Sequence, residues 1–186
     1  MYRLRDFTTA LILIFSLLIP FLIIGFFIKL TSKGNVIFWS ERVGQNNSLF
    51  RMPKFRSMIE ETPLIESEKV ENPNFYVTKV GRFIRKYSID ELPQLWSVLI
   101  GDMSLVGPRP ALKDQTELIK LRDLYGISSL KPGLTGWAQI NGRDNITTKE
   151  KTKLDEYYLN KRSFFFDIKI LISTPGKILS AKDVSH

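Results

Sequence analysis

The chain lacks cysteine altogether, which excludes disulfide staples, thiolate nucleophiles and thiolate metal sites. Histidine is nearly absent. The single one is His186, so histidine acid–base catalysis and a histidine-ligated zinc site are not expected. Proton transfer is left to Asp, Glu, Lys or Tyr. Any metal is left to oxygen donors, which suits Mg²⁺. There is no Walker or Rossmann glycine motif and no internal repeat. The aromatics sit in apolar runs instead of alternating with cations, so nucleic acid is not an expected partner. Acidic residues are outnumbered: 27 Lys and Arg against 19 Asp and Glu give a net charge of +8. A basic surface points to polyanionic partners, namely phosphorylated substrates or anionic lipid. A chain of 186 residues is long enough for one domain with a real core.

Charge is also missing from residues 7–28, a run of 22 residues. About 20 apolar residues suffice to enter or cross a bilayer. Arg3 and Arg5 precede the run like a signal peptide, but no small-residue cleavage site follows it. Pro20 interrupts it, leaving about 13 apolar residues before and about 8 after, each too short to cross alone. Cations flank both ends, Arg3 and Arg5 on one side and Lys29 and Lys33 on the other. The positive-inside rule is then met if both ends lie on the cytoplasmic face. Hydropathy alone leans to a kinked spanning helix and permits a re-entrant hairpin.

Residues 36–50 read as an apolar strand, a turn near Asn46 and Asn47, and a return strand. Alternation then sets Lys54 and Arg56 on one face of an extended segment, facing either lipid headgroups or a substrate phosphate. Residues 60–76 are acidic and polar and read as a surface loop. A charged amphipathic helix is expected over residues 112–125. Thr147 with Glu150 forms a capping box that starts a helix over residues 148–161. Apolar residues 164–172 are too few to span and suit core or a membrane interface.

The densest chemistry lies in residues 81–110. Three carboxylates (Asp90, Glu91, Asp102) and four cations (Arg82, Arg85, Lys86, Arg109) share this stretch. Arginines grip phosphate oxygens bidentately, and carboxylates ligate Mg²⁺ or attack phosphorus. Pro93 belongs in the first turn of a helix, so the helix starts near Asp90. The macrodipole there favours the ionised aspartate. The plain alternative is a Ser88–Glu91 capping box. Leu95 to Ile100 continues as a short helix ended by Gly101. Two prolines stiffen the backbone around Arg109, which suits anion recognition. Arg143, in a glycine-flanked loop, is a further anion ligand.

The run Ser88-Ile89-Asp90-Glu91-Leu92-Pro93-Gln94-Leu95, followed by Gly101-Asp102-Met103-Ser104-Leu105-Val106-Gly107-Pro108-Arg109-Pro110, resembles the bacterial sugar transferase family. These are small monotopic polyprenyl-phosphate hexose-1-phosphate transferases (phosphoglycosyl transferases). Arg3-x-x-Asp6, Glu41-Arg42-x-Gly44, Lys54-Phe55-Arg56-Ser57-Met58 and the stretch from Pro132 to Arg143 are similar to other motifs of that family. The resemblance implies an α+β, mostly helical monotopic membrane protein. Residues 1–33 would be a Pro-broken re-entrant anchor. Residues 34–186 would be a small cytoplasmic catalytic domain with interfacial amphipathic helices.

The same resemblance implies transfer of a sugar-1-phosphate from a nucleotide-diphosphate sugar, a UDP-sugar, to polyprenyl (undecaprenyl) phosphate, with release of UMP. Asp90 would carry an aspartyl phosphosugar intermediate. Asp90 and Glu91 would be the catalytic residues and the Mg²⁺ ligands, with Glu91 either a metal ligand or a base. Lys54, Arg56, Arg85, Arg109 and Arg143 would contact phosphate. The setting would be the cytoplasmic face of the bacterial inner membrane, in contact with membrane lipid, at the first membrane step of glycan assembly (capsule, exopolysaccharide, O-antigen or glycoprotein). Homodimerisation is left open. The reading from a different class is a non-enzymatic membrane adaptor that binds anionic lipid.

Overall fold

The computed structural model describes residues 2–59, 76–142 and 146–180. The charge-free run forms two helices, α1 (Tyr2–Ser16) and α2 (Leu18–Thr31), bent by 61°. The break falls at Leu17 and not at Pro20, where the sequence reading placed it. Proline's ring crowds the carbonyl four residues back, here that of Ser16, and so ends α1 one turn early. Pro20 itself then sits in the first turn of α2, where its missing N–H leaves nothing unpaired. Among the described residues no single helix is long and apolar enough to cross a membrane; the bent pair meets the requirement only by length and composition together.

The two helices differ in what they bury. α2 is apolar on every side, yet Ile28 alone of its 14 residues is buried. Leu22, Ile23, Phe26, Phe27 and Leu30 are exposed. α1 instead packs into the body of the protein. Ala10 is fully buried in the main core with Leu95, Val98, Met103, Leu105 and Val106. Arg3 donates to the Val98 and Leu99 carbonyls, 2.6 Å each, and so satisfies the end of a later helix. Buried Asp6 accepts from Arg5 and, at 2.6 Å, from the Ser104 hydroxyl. Arg5 also reaches Asp167 at 2.7 Å, which in turn accepts from the Tyr158 hydroxyl.

The remaining order follows from local signals. β1 (Ile37–Val43) and β2 (Leu49–Phe55) pair antiparallel, from Ile37 opposite Phe55 to Val43 opposite Leu49. The expected turn is there: Asn46 and Asn47 hold positive φ, which asparagine tolerates better than most residues. α3 (Lys79–Lys86) follows, then a 3₁₀ turn (Ile89–Gln94), α4 (Leu95–Ile100) and β3 (Ser104–Val106). α4 ends as expected on Gly101 at φ 99°. α5 (Thr116–Leu124) starts later than residue 112, because the Leu112 amide donates to the Gln115 side chain and ties the approach into a turn. β4 (Gly133–Thr135) pairs parallel with β3. α6 (Trp137–Ile140), α7 (Thr148–Lys161) and α8 (Phe164–Ser180) complete the chain.

The Thr147–Glu150 capping box forms in full. α8 runs well past its apolar start and continues through Pro175. Its exposed face can lose the one backbone bond that proline removes, and Thr174 ties the turn to Thr135 at 2.8 Å. The whole is α+β and mostly helical, as expected. The segment read as a surface loop, residues 60–76, lies outside the described residues except for Tyr76.

Candidate active site

Three separate elements deliver charge to one place. Lys54, near the end of β2, points its ammonium at Glu91 on the 3₁₀ turn, 2.9 Å from Oε1. Arg109 reaches the same oxygen from the loop after β3, also at 2.9 Å. Arg85 arrives from the last turn of α3, close enough to act electrostatically on Asp90. α3 can lie there because of Gly81: a Cβ at that position would meet the Ser57 carbonyl oxygen at 1.8 Å. Thr78 caps α3 and its amide donates to the same carbonyl.

The loop carrying Arg109 is held through its backbone. The Arg109 carbonyl accepts from Arg122 at 2.8 Å, and Arg122 is locked to buried Asp155 at 2.6 Å. Pro108 and Pro110 restrict the rest.

Asp90 and Glu91 are adjacent in sequence and opposite in circumstance. Glu91 is buried and clamped. Burial alone would raise its carboxyl, but Arg109 and Lys54 outweigh burial and hold it well below the usual carboxylate range. Asp90 has no hydrogen bond or ion pair with the described residues. Burial pushes its carboxyl up to about 6, against the opposing pull of Lys54, Arg85 and Arg109 and with a further push from Glu91. The macrodipole argument from the sequence therefore fails to set the sign. A single 3₁₀ turn has few aligned peptides, and desolvation is the larger effect. Asp90 remains mostly ionised at neutral pH all the same.

The Ser88–Glu91 capping box does not form. Ser88 sits in the left-handed region at φ 54°, and no side-chain cap bond is made. The Glu91 carboxylate is taken by the two cations instead. Arg56 is not part of this cluster. Strand β2 ends at Phe55, and Arg56 turns to the C-terminal end of α2, donating to the Ser32 carbonyl and hydroxyl at 3.0 and 2.9 Å. Asp102 is exposed in the turn after α4. Arg143 lies outside the described residues.

The oxygens present suit a hard cation brought in with a phosphate ligand. Oε1 of Glu91 is saturated, but Oε2 meets Arg109 only at 3.4 Å, and Asp90 is open. Mg²⁺ commonly takes one or two carboxylates and completes its shell with water and substrate oxygens. A closed all-protein site is not present: among the described residues no group of three or more acidic or histidine side chains gathers.

A model of the bacterial sugar transferase family matches residues 1–181. The chain belongs to this family. Its membership removes the ground for the adaptor reading. The sugar transferase is 41% identical over 184 residues to the sugar transferase EpsL of Bacillus subtilis, covering 99% of this chain and 90% of EpsL. It is 42% identical over 159 residues to the UDP-glucose:undecaprenyl-phosphate glucose-1-phosphate transferase of Escherichia coli, covering 81% of this chain and 34% of that protein. It is 38% identical over 158 residues to the UDP-N-acetylgalactosamine-undecaprenyl-phosphate N-acetylgalactosaminephosphotransferase of Aeromonas hydrophila, covering 82% and 37%. The chain thus spans nearly all of one relative and little more than a third of the other two.

Two polar residues of this sugar transferase, Ser88, which the sequence reading weighed only as a cap, and Gln139, which it passed over, line a cleft beside the cluster. Ser88 and Gln139 face it together with Glu91, Arg109, Thr174 and Lys177. Gln139 stands in the glycine-flanked stretch before Arg143, and that setting was the available signal.

Proposed function

We propose that this sugar transferase moves a sugar-1-phosphate from a UDP-sugar to polyprenyl phosphate in two steps, through a phosphosugar carried on Asp90. The observation behind this reading is the contrast within the Asp90–Glu91 pair. Lys54 and Arg109 hold Glu91, and Asp90, near three cations, has no hydrogen-bond or ion-pair partner among the described residues. A carboxylate so placed is free to attack, and the cations around it oppose the charge that builds up in phosphoryl transfer. Two relatives are named for this reaction with undecaprenyl phosphate, one with a glucose donor and one with an N-acetylgalactosamine donor.

In the first step an Asp90 carboxylate oxygen bonds to the phosphorus that bears the sugar, and the phosphorus–oxygen bond to the nucleotide breaks. UMP leaves with that electron pair. In the second step an oxygen of the lipid phosphate attacks the same phosphorus, and the Asp90 carboxylate is released. Neither step consumes a proton at neutral pH. Arg109 and Lys54 serve twice: they fix Glu91, and they face the phosphate oxygens as charge redistributes. Arg85, and Arg143 by family resemblance, supply further phosphate contacts. Asp90 and Oε2 of Glu91 would hold Mg²⁺, which when bound offsets the charge of the diphosphate.

The bent helix pair supports a location at the membrane. A bend of 61° and a second helix that exposes most of its apolar side chains suit a helix that enters and leaves the bilayer on one face. That face is the cytoplasmic side of the inner membrane, where a nucleotide sugar and a lipid phosphate can meet. The product is the first lipid-linked sugar of a glycan.

The test uses purified protein in nanodiscs with undecaprenyl phosphate, Mg²⁺ and a panel of UDP-sugars. UMP release with at least one donor is expected, lost with EDTA and in Asp90→Asn. A phosphosugar adduct on Asp90 is expected by mass spectrometry when the lipid acceptor is left out. Undiminished turnover in Asp90→Asn would remove that residue from the reaction.

A further inference from the structure

The cleft beside Glu91 has a feature that phosphate binding does not use. Its near wall carries Ser88, Glu91 and Arg109, and its far wall Gln139, Thr174 and Lys177. Both polar atoms of the Gln139 amide are buried and lack a hydrogen-bond partner. Among the described residues only the core Ser97 hydroxyl is likewise left with a buried donor and acceptor unmet, and it does not line the cleft. Buried polar groups are normally paired, and one left open in a cleft beside reactive groups calls for a partner that arrives later. Gly136 makes room for this amide: a Cβ there would stand 2.5 Å from Gln139 Oε1 and 2.0 Å from the Gly107 carbonyl oxygen.

We infer that this cleft takes the sugar ring of the donor, and that the Gln139 amide hydrogen-bonds a ring hydroxyl. The inference rests on the proposed reaction. The sugar is bonded to the phosphate that Asp90 attacks, so it must lie next to the Asp90–Glu91 pair. The nucleoside lies one phosphate further away. The position agrees, since Glu91 itself lines the cleft. The chemistry agrees as well. A hydroxyl both donates and accepts, which answers a neutral amide with one of each open. The Thr174 hydroxyl is already engaged with Thr135 and with the Ile170 carbonyl, which leaves Gln139 as the open neutral group on that wall.

The test is Gln139→Leu, close in size and without the amide, in the full chain in nanodiscs. Three quantities are read: kcat/KM with the best UDP-sugar, inhibition by UMP, and the melting temperature without ligand. The expected result is a 10- to 100-fold loss in kcat/KM, unchanged UMP inhibition, and a melting temperature equal to or above wild type. Weakened UMP inhibition would transfer Gln139 to the nucleotide and overturn the inference. So would unchanged kcat/KM. A lowered melting temperature would mark the amide as structural. Gln139→Glu is the second variant: it keeps an acceptor and is expected to retain more activity than the leucine. If wild type released no UMP with any donor, the proposed reaction would fail first, and the ligand-free melting comparison would still report whether the amide is idle in the resting protein.

Discussion

Replacing Asp90 with asparagine should make the resting protein more stable while it removes turnover. The Asp90 carboxyl stands at about 6 in the fold against an ordinary 3.8. At 1.36 kcal/mol per unit, holding that charge costs about 3 kcal/mol at pH 8. The figure is already net of the help from Lys54, Arg85 and Arg109, since burial outweighs them. The sign follows from linkage. A carboxyl raised in the folded state favours folding below pH 3.8, where it is protonated in both states. That contribution fades as pH rises through about 6. Asparagine is neutral throughout and close in shape. For a chain of this size about 3 kcal/mol corresponds to a rise of roughly 6–12 °C in melting temperature. The assay is thermal unfolding in one detergent at pH 8 and again at pH 5. The gain should be about half as large at pH 5 as at pH 8. An Asp90→Asn protein that melts at or below wild type at pH 8 would refute the reasoning, because it would mean the ionised aspartate is welcome in its pocket.

Wild-type kcat/KM should rise about tenfold per pH unit below about 6 and level off above, as Asp90 ionises; a pH profile at subsaturating donor reads this directly. Glu91→Gln should destabilise by about 3–5 kcal/mol, because Lys54 and Arg109 lose their shared partner in a half-buried site. In the same variant the acidic limb of the pH profile should move below 6, since Glu91 no longer opposes the Asp90 charge. Gly81→Ala should cost at least about 2 kcal/mol in a denaturant melt, as the new methyl meets Ser57 backbone that cannot step aside. Asp6→Ala should cost about 3 kcal/mol by the same melt, by stranding the buried Ser104 hydroxyl and half of the Arg5 fork; a change under 1 kcal/mol would argue against a structural role for that network.

What could be read from sequence was mostly what neighbours in sequence decide. The β1–β2 hairpin is set by alternation and by two asparagines that accept positive φ. The start of α7 is set by Thr147 and Glu150, and the end of α4 by Gly101. The charged groups of residues 81–110 were legible as a cluster because Asp90 and Glu91 are adjacent and Arg85 and Arg109 bracket them. Lys54 joined them through the family's motif. The rest depended on contacts made across the chain. Alternation alone would send Arg56 to the side of Lys54, but the strand ends between them and Ser32 captures the guanidinium. The same holds for Ser88 and Glu91: the box pattern was present, yet two distant cations offered Glu91 a stronger partner than a backbone amide. The break at Leu17 was misplaced because proline's effect falls on the carbonyl four residues before it. β3 and β4, of three residues each, carry no periodic signal and form only when chain segments about thirty residues apart meet.

The burial of α1 changes what an anchor means in this protein. A tether can be cut and leave its cargo whole. Here the same helix that exposes apolar side chains on one side closes the core on the other, through Ala10, and its arginines finish α4 and clasp α8. Those are the elements next to the Asp90–Glu91 turn and along the cleft. The helix is closer to a keystone than to a leash. A water-soluble form of this transferase cannot be reached by trimming the front of the chain. It would require repainting the outer, exposed apolar side of α1 and α2 with polar residues while leaving the inner side as it stands.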